Sequence, residues 1–150
     1  MSITGTERST IVAAVASPSP GRKLADSVNL LSNGAYTVSY SIGTETANAI
    51  AVTITVTSLD GKAIANRVAL DLMVISSTST YALNTTDYTI AASTGVVAQL
   101  IADQVLRVIT NASGVAVVSF TLASGAATSY LAAILPGGSM AVSGAITHAA

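Results

Sequence analysis

The chain has one imidazole, His148, two residues from its C-terminus, and no cysteine. A Ser–His–acid triad needs its imidazole held rigidly by a buried acid and aimed at a hydroxyl. A chain end is a poor platform for that, so His148 is expected at the surface or on an edge strand. Histidine metal sites generally combine several imidazoles or add thiolates, and neither is available. The carboxylates are Glu7, Asp26, Glu45, Asp60, Asp71, Asp87 and Asp103. Paired acids for glycoside hydrolysis must face each other across a cleft. Here Asp60 and Asp103 lie in turn sequences, and Asp87 follows the turn-like Asn84-Thr85-Thr86. Asp71 falls mid-strand, where Arg67 or Arg107 can pair with it. Nothing matches the dense oxygen-ligand loop of a calcium motif; Asp60 or Asp103 could support only a weak single-ion site. Pro136-Gly137-Gly138 precedes no helix, so it is no phosphate cradle. The expectation is a protein without catalytic residues, cofactor or metal.

Composition points the same way. Charged residues make up 9% of the chain, with six Lys plus Arg against seven Asp plus Glu. A soluble globular domain usually carries about 25%. Ser and Thr supply 38 residues and Ala 27, giving a surface with little charge to keep copies apart. The same abundance makes the glycosylation sequons at Asn84 and Asn111 chance matches. Basic residues are scattered, and only Arg22 and Lys23 are adjacent. A surface that tracks phosphates needs clustered positive charge, so nucleic acid is not an expected partner. No segment approaches the roughly 18–20 apolar residues that span a bilayer, so no membrane partner is expected either. Ile11 to Ala16 is shorter than the 7–15 residues of a signal-peptide core and follows Glu7. It does not read as a cleaved signal.

The elements that must position these residues are strands. Ile50, Val52, Ile54 and Val56 alternate with Ala51, Thr53, Thr55 and Thr57, and the run stops at Asp60-Gly61. That period of two ended by a turn signal marks a half-buried strand. The pattern predicts strands at 49–58, 67–76, 80–90, 95–101, 105–111, 115–123, 128–135 and 139–148, the last broken near Ser143-Gly144. Eight strands at spacings near ten residues describe an all-β sandwich or barrel. Phe120 joins Ala116, Val118 and Leu122 on an inward row. The runs 68–75 and 130–135 are almost wholly apolar, which predicts an outer face covered by a partner or by the N-terminal segment, with Ala69 and Ala133 as candidate outward positions.

Residues 1–46 read as an N-terminal arm preceding a domain at 47–150. Ser17-Pro18-Ser19-Pro20-Gly21 excludes helix and central strand. A short helix is predicted near 23–32, and Tyr36, Val38 and Tyr40 suggest a strand that stops at Gly43. The arm holds Ile11, Val12, Val15, Leu24, Val28 and Leu31, too little apolar bulk for a core of its own. These six are the candidate partner-binding residues.

Specific turns carry a resemblance. Thr57-Ser58-Leu59-Asp60-Gly61-Lys62-Ala63-Ile64-Ala65-Asn66 resembles the opening of immunoglobulin-like domains of the bacterial invasin/intimin type. Asn111-Ala112-Ser113-Gly114 leading into Val115–Phe120 resembles their second hallmark. The stretch from Tyr130 through Pro136-Gly137-Gly138 to Thr147 is similar to small tailed-phage virion proteins that carry such a domain. The resemblance covers about 49–148. It implies an immunoglobulin-like β-sandwich with an extended arm, acting as a capsid decoration (cement) protein on the virion surface. The implied partners are the major capsid protein and further copies of the chain, as a homotrimer. Alternatives on the same fold are a phage tail or fibre component or a bacterial surface adhesin. A carbohydrate-binding module is the reading from another class, and it would need a platform among Tyr36, Tyr40, Tyr81, Tyr88 and Tyr130.

Overall fold

Branched apolar residues alternating with hydroxyls and alanines leave each segment one face to bury, and pairing satisfies the backbone between them. The structure, a computed structural model, describes residues 36–150, which form ten strands and no helix. They are Tyr36–Ile42 (β1), Ala49–Ser58 (β2), Ala69–Ile75 (β3), Tyr88–Thr94 (β4), Val96–Ile101 (β5), Val105–Ile109 (β6), Val115–Leu122 (β7), Ala127–Ile134 (β8), Met140–Val142 (β9) and Ile146–His148 (β10). One sheet runs β1-β2-β7-β4. The other runs β10-β8-β3-β6-β5, with β9 also on β8. All the pairings are antiparallel.

This is an all-β sandwich of immunoglobulin-like character. The order β1-β2-β7-β4 follows the A-B-E-D sheet of that fold, and β10-β8-β3 follows G-F-C. The hairpin β5–β6 is added beyond β3. The chain reaches it by leaving the first sheet at Thr94 and entering the second at Val96. Gly95 makes that crossing at φ +77°, and a Cβ there would lie 2.4 Å from the Ile109 carbonyl oxygen. Only glycine fits so close to a neighbouring backbone.

Strand positions follow the alternation except at one place. The strand expected at 80–90 begins only at Tyr88. Residues 80–87 form a loop instead, with Tyr81 at positive φ and the loop backbone bonded to Val74 and Ser76. The segment 139–148 breaks at Ser143 as expected; its N–H donates to the Leu131 carbonyl while its Oγ accepts from the Leu131 N–H. The arm boundary also moves. Tyr36–Ile42 pairs along β2 from Tyr36↔Ser58 to Ile42↔Val52. The Tyr40 hydroxyl donates to the Ala141 carbonyl at 3.1 Å, tying this strand to the opposite sheet. Residues 36–42 thus belong to the sandwich, and the helix expected at 23–32 lies outside the described residues.

The core is closed by the two inner faces. Ala116, Val118, Phe120 and Leu122 form the inward row of β7, as their spacing requires. Leu70, Leu72, Val74, Leu106, Val108 and Leu131 meet them from the other sheet. His148 corrects the sequence reading. It is 1% exposed, its Nε2 is 3.0 Å from the Phe120 carbonyl, and its ring lies 5.4 Å from that of Tyr88. Tyr88 in turn packs edge-on to Phe120 at 5.7 Å and shares a hydrogen bond with Ser129. The Ala149 N–H donates to Glu45. A last strand as short as β10 stays in place because its final side chain is anchored in the opposite sheet.

Replacing His148 with Ala removes that anchor and leaves a cavity beside Tyr88. It should lower unfolding free energy by about 2–4 kcal/mol, measured by urea denaturation. A loss under about 0.5 kcal/mol would show that β10 does not depend on the ring.

Candidate interaction surface

Strand pairing separates the groups that chemistry would need together. Asp60 sits in the turn after β2, where Ser58 and the Lys62 N–H donate to it and hold its carboxyl below the usual range, with the Lys62 ammonium 3.4 Å away. Asp71 and Arg107 face each other from β3 and β6 and join through two 2.8 Å hydrogen bonds. Those bonds keep the Asp71 carboxyl below its ordinary range. The imidazole of His148 is in the core against a carbonyl. Among the described residues no three His, Asp or Glu side chains converge as metal ligands.

The tyrosines do not assemble a stacking platform. Tyr88 is buried, Tyr36 and Tyr40 pack against the core, exposed Tyr81 sits in the loop before β4, and half-buried Tyr130 stands on β8 opposite Ile75. Burial raises the Tyr36 and Tyr40 hydroxyls above their ordinary range.

The two outer faces differ in kind. On the four-stranded sheet, Thr53 and Thr55 of β2 flank Ser39 and Ser41 of β1, a face of hydroxyls and small apolar groups. On the second sheet, Ile101, Val105, Met73, Ala132 and Val142 stand directly opposite one another in turn. Directly paired residues share a face. The five therefore form one apolar row across β5, β6, β3, β8 and β9. Val96 and Ile109 pair beside it, with Ala69 next on β3. The charges between these rows are Asp71 and Arg107, each neutralised by the other.

Among the described residues this face ends at β5, the edge of its sheet. Val96, Leu100 and Ile101 are 50%, 51% and 52% exposed. The strand carries neither charge nor proline, the usual protections of an edge against pairing with another chain. A register shift between Gln99 and Ile101 is its one irregularity.

Of the two alanines expected to face outward, only Ala69 does so. Ala133 is fully buried, because β8 turns Leu131 and Ala133 inward and leaves Ala132 on the outer row. Ala132 is also fully covered, lying between Met73 and Val142. The outer face was legible as two apolar runs. Its central ion pair, its continuity over five strands and its extension onto β5 were not, since they depend on strand order. The candidate residues Ile11, Val12, Val15, Leu24, Val28 and Leu31 lie outside the described residues.

Neither protein-family models nor curated proteins give a match to this chain.

Lysine placed on each alanine separates the two faces. Ala133→Lys buries an unpaired charge and should cost more than about 3 kcal/mol, enough to unfold much of the protein. Ala69→Lys should change stability by less than about 1 kcal/mol. Circular dichroism melts of the two variants check the assignment, and equal losses would refute it.

Proposed function

We propose that this protein is a non-enzymatic virion structural protein, a capsid decoration protein that binds and stabilises a phage head shell. The observation that carries this reading is the apolar outer face of the six-stranded sheet. A free domain exposing such a face, bordered by an uncharged edge strand, is prone to association. A domain whose working state is inside an assembly has that face covered. The low charge of the whole chain fits the same state, because many copies can sit close together without strong mutual repulsion.

Attachment in this reading uses two parts. The sandwich offers the face, and residues 1–35 supply Ile11, Val12, Val15, Leu24, Val28 and Leu31 for contact with the major capsid protein. A burial worth roughly 1.5–3 kcal/mol for each such side chain is opposed by about 1–2 kcal/mol for every backbone residue fixed. Contact with a partner must therefore supply much of the surface that orders this segment. Linking it to the sandwich face makes the second contact intramolecular, so weak contacts combine into tight attachment. Association of copies, as a trimer, repeats the effect around a symmetry axis.

The test is co-sedimentation with purified phage heads and electron microscopy of the decorated particles. The full chain should appear on the head shell. Residues 36–150, which retain β1, should fold as a sandwich yet bind at least 100-fold more weakly. Location on the tail, or equal binding without residues 1–35, would overturn the corresponding part of the proposal.

A further inference from the structure

Seven large apolar side chains among the described residues are exposed, and three of them, Val96, Leu100 and Ile101, are on β5. The edge strands of the other sheet, β1 and β4, have none. β5 pairs with β6 along one side, and among the described residues no strand lies on the other. An edge of this kind leaves a row of N–H and C=O groups without strand partners. Backbone and side chains of β5 thus call for the same occupant, a further uncharged apolar strand.

The far side of the same sheet does not offer one. There Tyr40 of β1 donates to the Ala141 carbonyl of β9, and Glu45, in the loop after β1, accepts from the Ala149 N–H just past β10. Head-to-tail addition of one sheet to the next would break these bonds. Among the described strands, the one that matches β5 in exposure, neutrality and apolar character is β5 itself. Self-pairing is isologous, so it closes after two copies and builds no filament.

The pattern along the strand selects a register. Two antiparallel copies keep residues of one face opposite one another, so a two-fold sets one residue against itself. Val96 and Ala98 share the outer face, opposite Ile109 and Arg107 on β6, and Ile101 returns to it opposite Val105 after the register shift. An axis at Ala98 sets Val96 of one copy against Leu100 and Ile101 of the other, so the exposed side chains cover one another at both ends. An axis at Gln99 would carry Val96 past the end of the opposing strand, and the Gln99 side chain is already engaged with the Asp103 N–H. Arg107, beside Ala98, is neutralised by Asp71, so the two copies bring no unpaired like charges together.

We propose that β5 pairs antiparallel with β5 of a second copy about a two-fold axis at Ala98, joining the two six-stranded sheets into one. The apolar outer face then continues across both copies. One short strand a side makes a small interface, which belongs to the weak, concentration-dependent class. The pairing is independent of the proposed attachment to a head shell. Where trimers form, it joins copies of neighbouring trimers and does not build the trimer.

The chain has no cysteine, so a single introduced one reports the pairing. The full chain carrying Ala98→Cys, mildly oxidised, should give a disulfide-linked dimer on a denaturing gel. Residues opposite one another in an antiparallel pair have Cα atoms about 4.5–5.5 Å apart, within disulfide reach. Leu59→Cys, in the exposed turn after β2, should give roughly tenfold less dimer or lower still. Sedimentation velocity of the native chain should show association that rises with concentration, and hydrogen exchange within 96–101 should slow in step. Leu100→Lys should weaken association by roughly tenfold or more, while Ala69→Lys, two strands in from the edge, should not. Ala98 is exposed; if its cysteine variant does not fold, sedimentation and exchange decide the question. A dimer yield no higher than that of Leu59→Cys overturns the proposal, as does a native chain whose mass is indifferent to concentration. Association lost in Ala69→Lys but kept in Leu100→Lys means that copies stack by their faces, which overturns it. Exchange within 96–101 that is slow at every concentration means that the edge is already covered within one chain, and this too overturns it.

Discussion

The antiparallel pairing of β7 with β2 on one side and β4 on the other sets Phe120 opposite both Ile50 and Ile90. That register sends every second residue of three strands into one core, and a slip by one would turn those residues to solvent. The other inner face is held to the same depth by Leu72, paired with Leu106 and Ala133. Both sheets are locked by what they share between them. The aromatic contact of Tyr88 with Phe120, and the anchoring of His148 on the Phe120 carbonyl, follow from that register.

The extra hairpin depends on a second constraint, the tight crossing at Gly95. There the chain passes so near Ile109 that a side chain has no room. This crossing carries β5 and β6 beyond the G-F-C order and widens the second sheet. The wider sheet has a broad outer surface, and among the described residues its last strand has no further neighbour. The same hairpin brings its turn against the loop that holds Asn84. One backbone crossing thus widens the outer face and sets this turn against that loop.

Uncharged, apolar edges are hazardous for a protein that works alone, because another strand can add to them. The ion pair of Asp71 and Arg107 does not offset this hazard. Its charges satisfy each other within the face and present little net field to a partner. A surface of this kind is best matched by another neutral, apolar surface, and the proposal of attachment within an assembly rests on that match.

Much of the fold was readable in the chain because a period of two is a local property. The alternation in β2 and the Asn111–Gly114 turn into β7 needed no knowledge of neighbours. The start of β4 was misread because Tyr81 and Leu83 continue an apolar pattern across a loop bonded to β3 through its backbone. Ala69 and Ala133 look alike in sequence, and which one faces the core depends on the phase of each strand against its partner. His148 looked like a free end because its anchor lies 28 residues away in sequence, in the opposite sheet. Asn84 and Asp103 each read as turn residues, and only the folding of β5 and β6 brings them together. An all-β chain, its turns and its low charge follow from residue type and local spacing. Which residues face the core and which loops meet is decided by pairing between strands, because separation along the chain carries no record of distance in space.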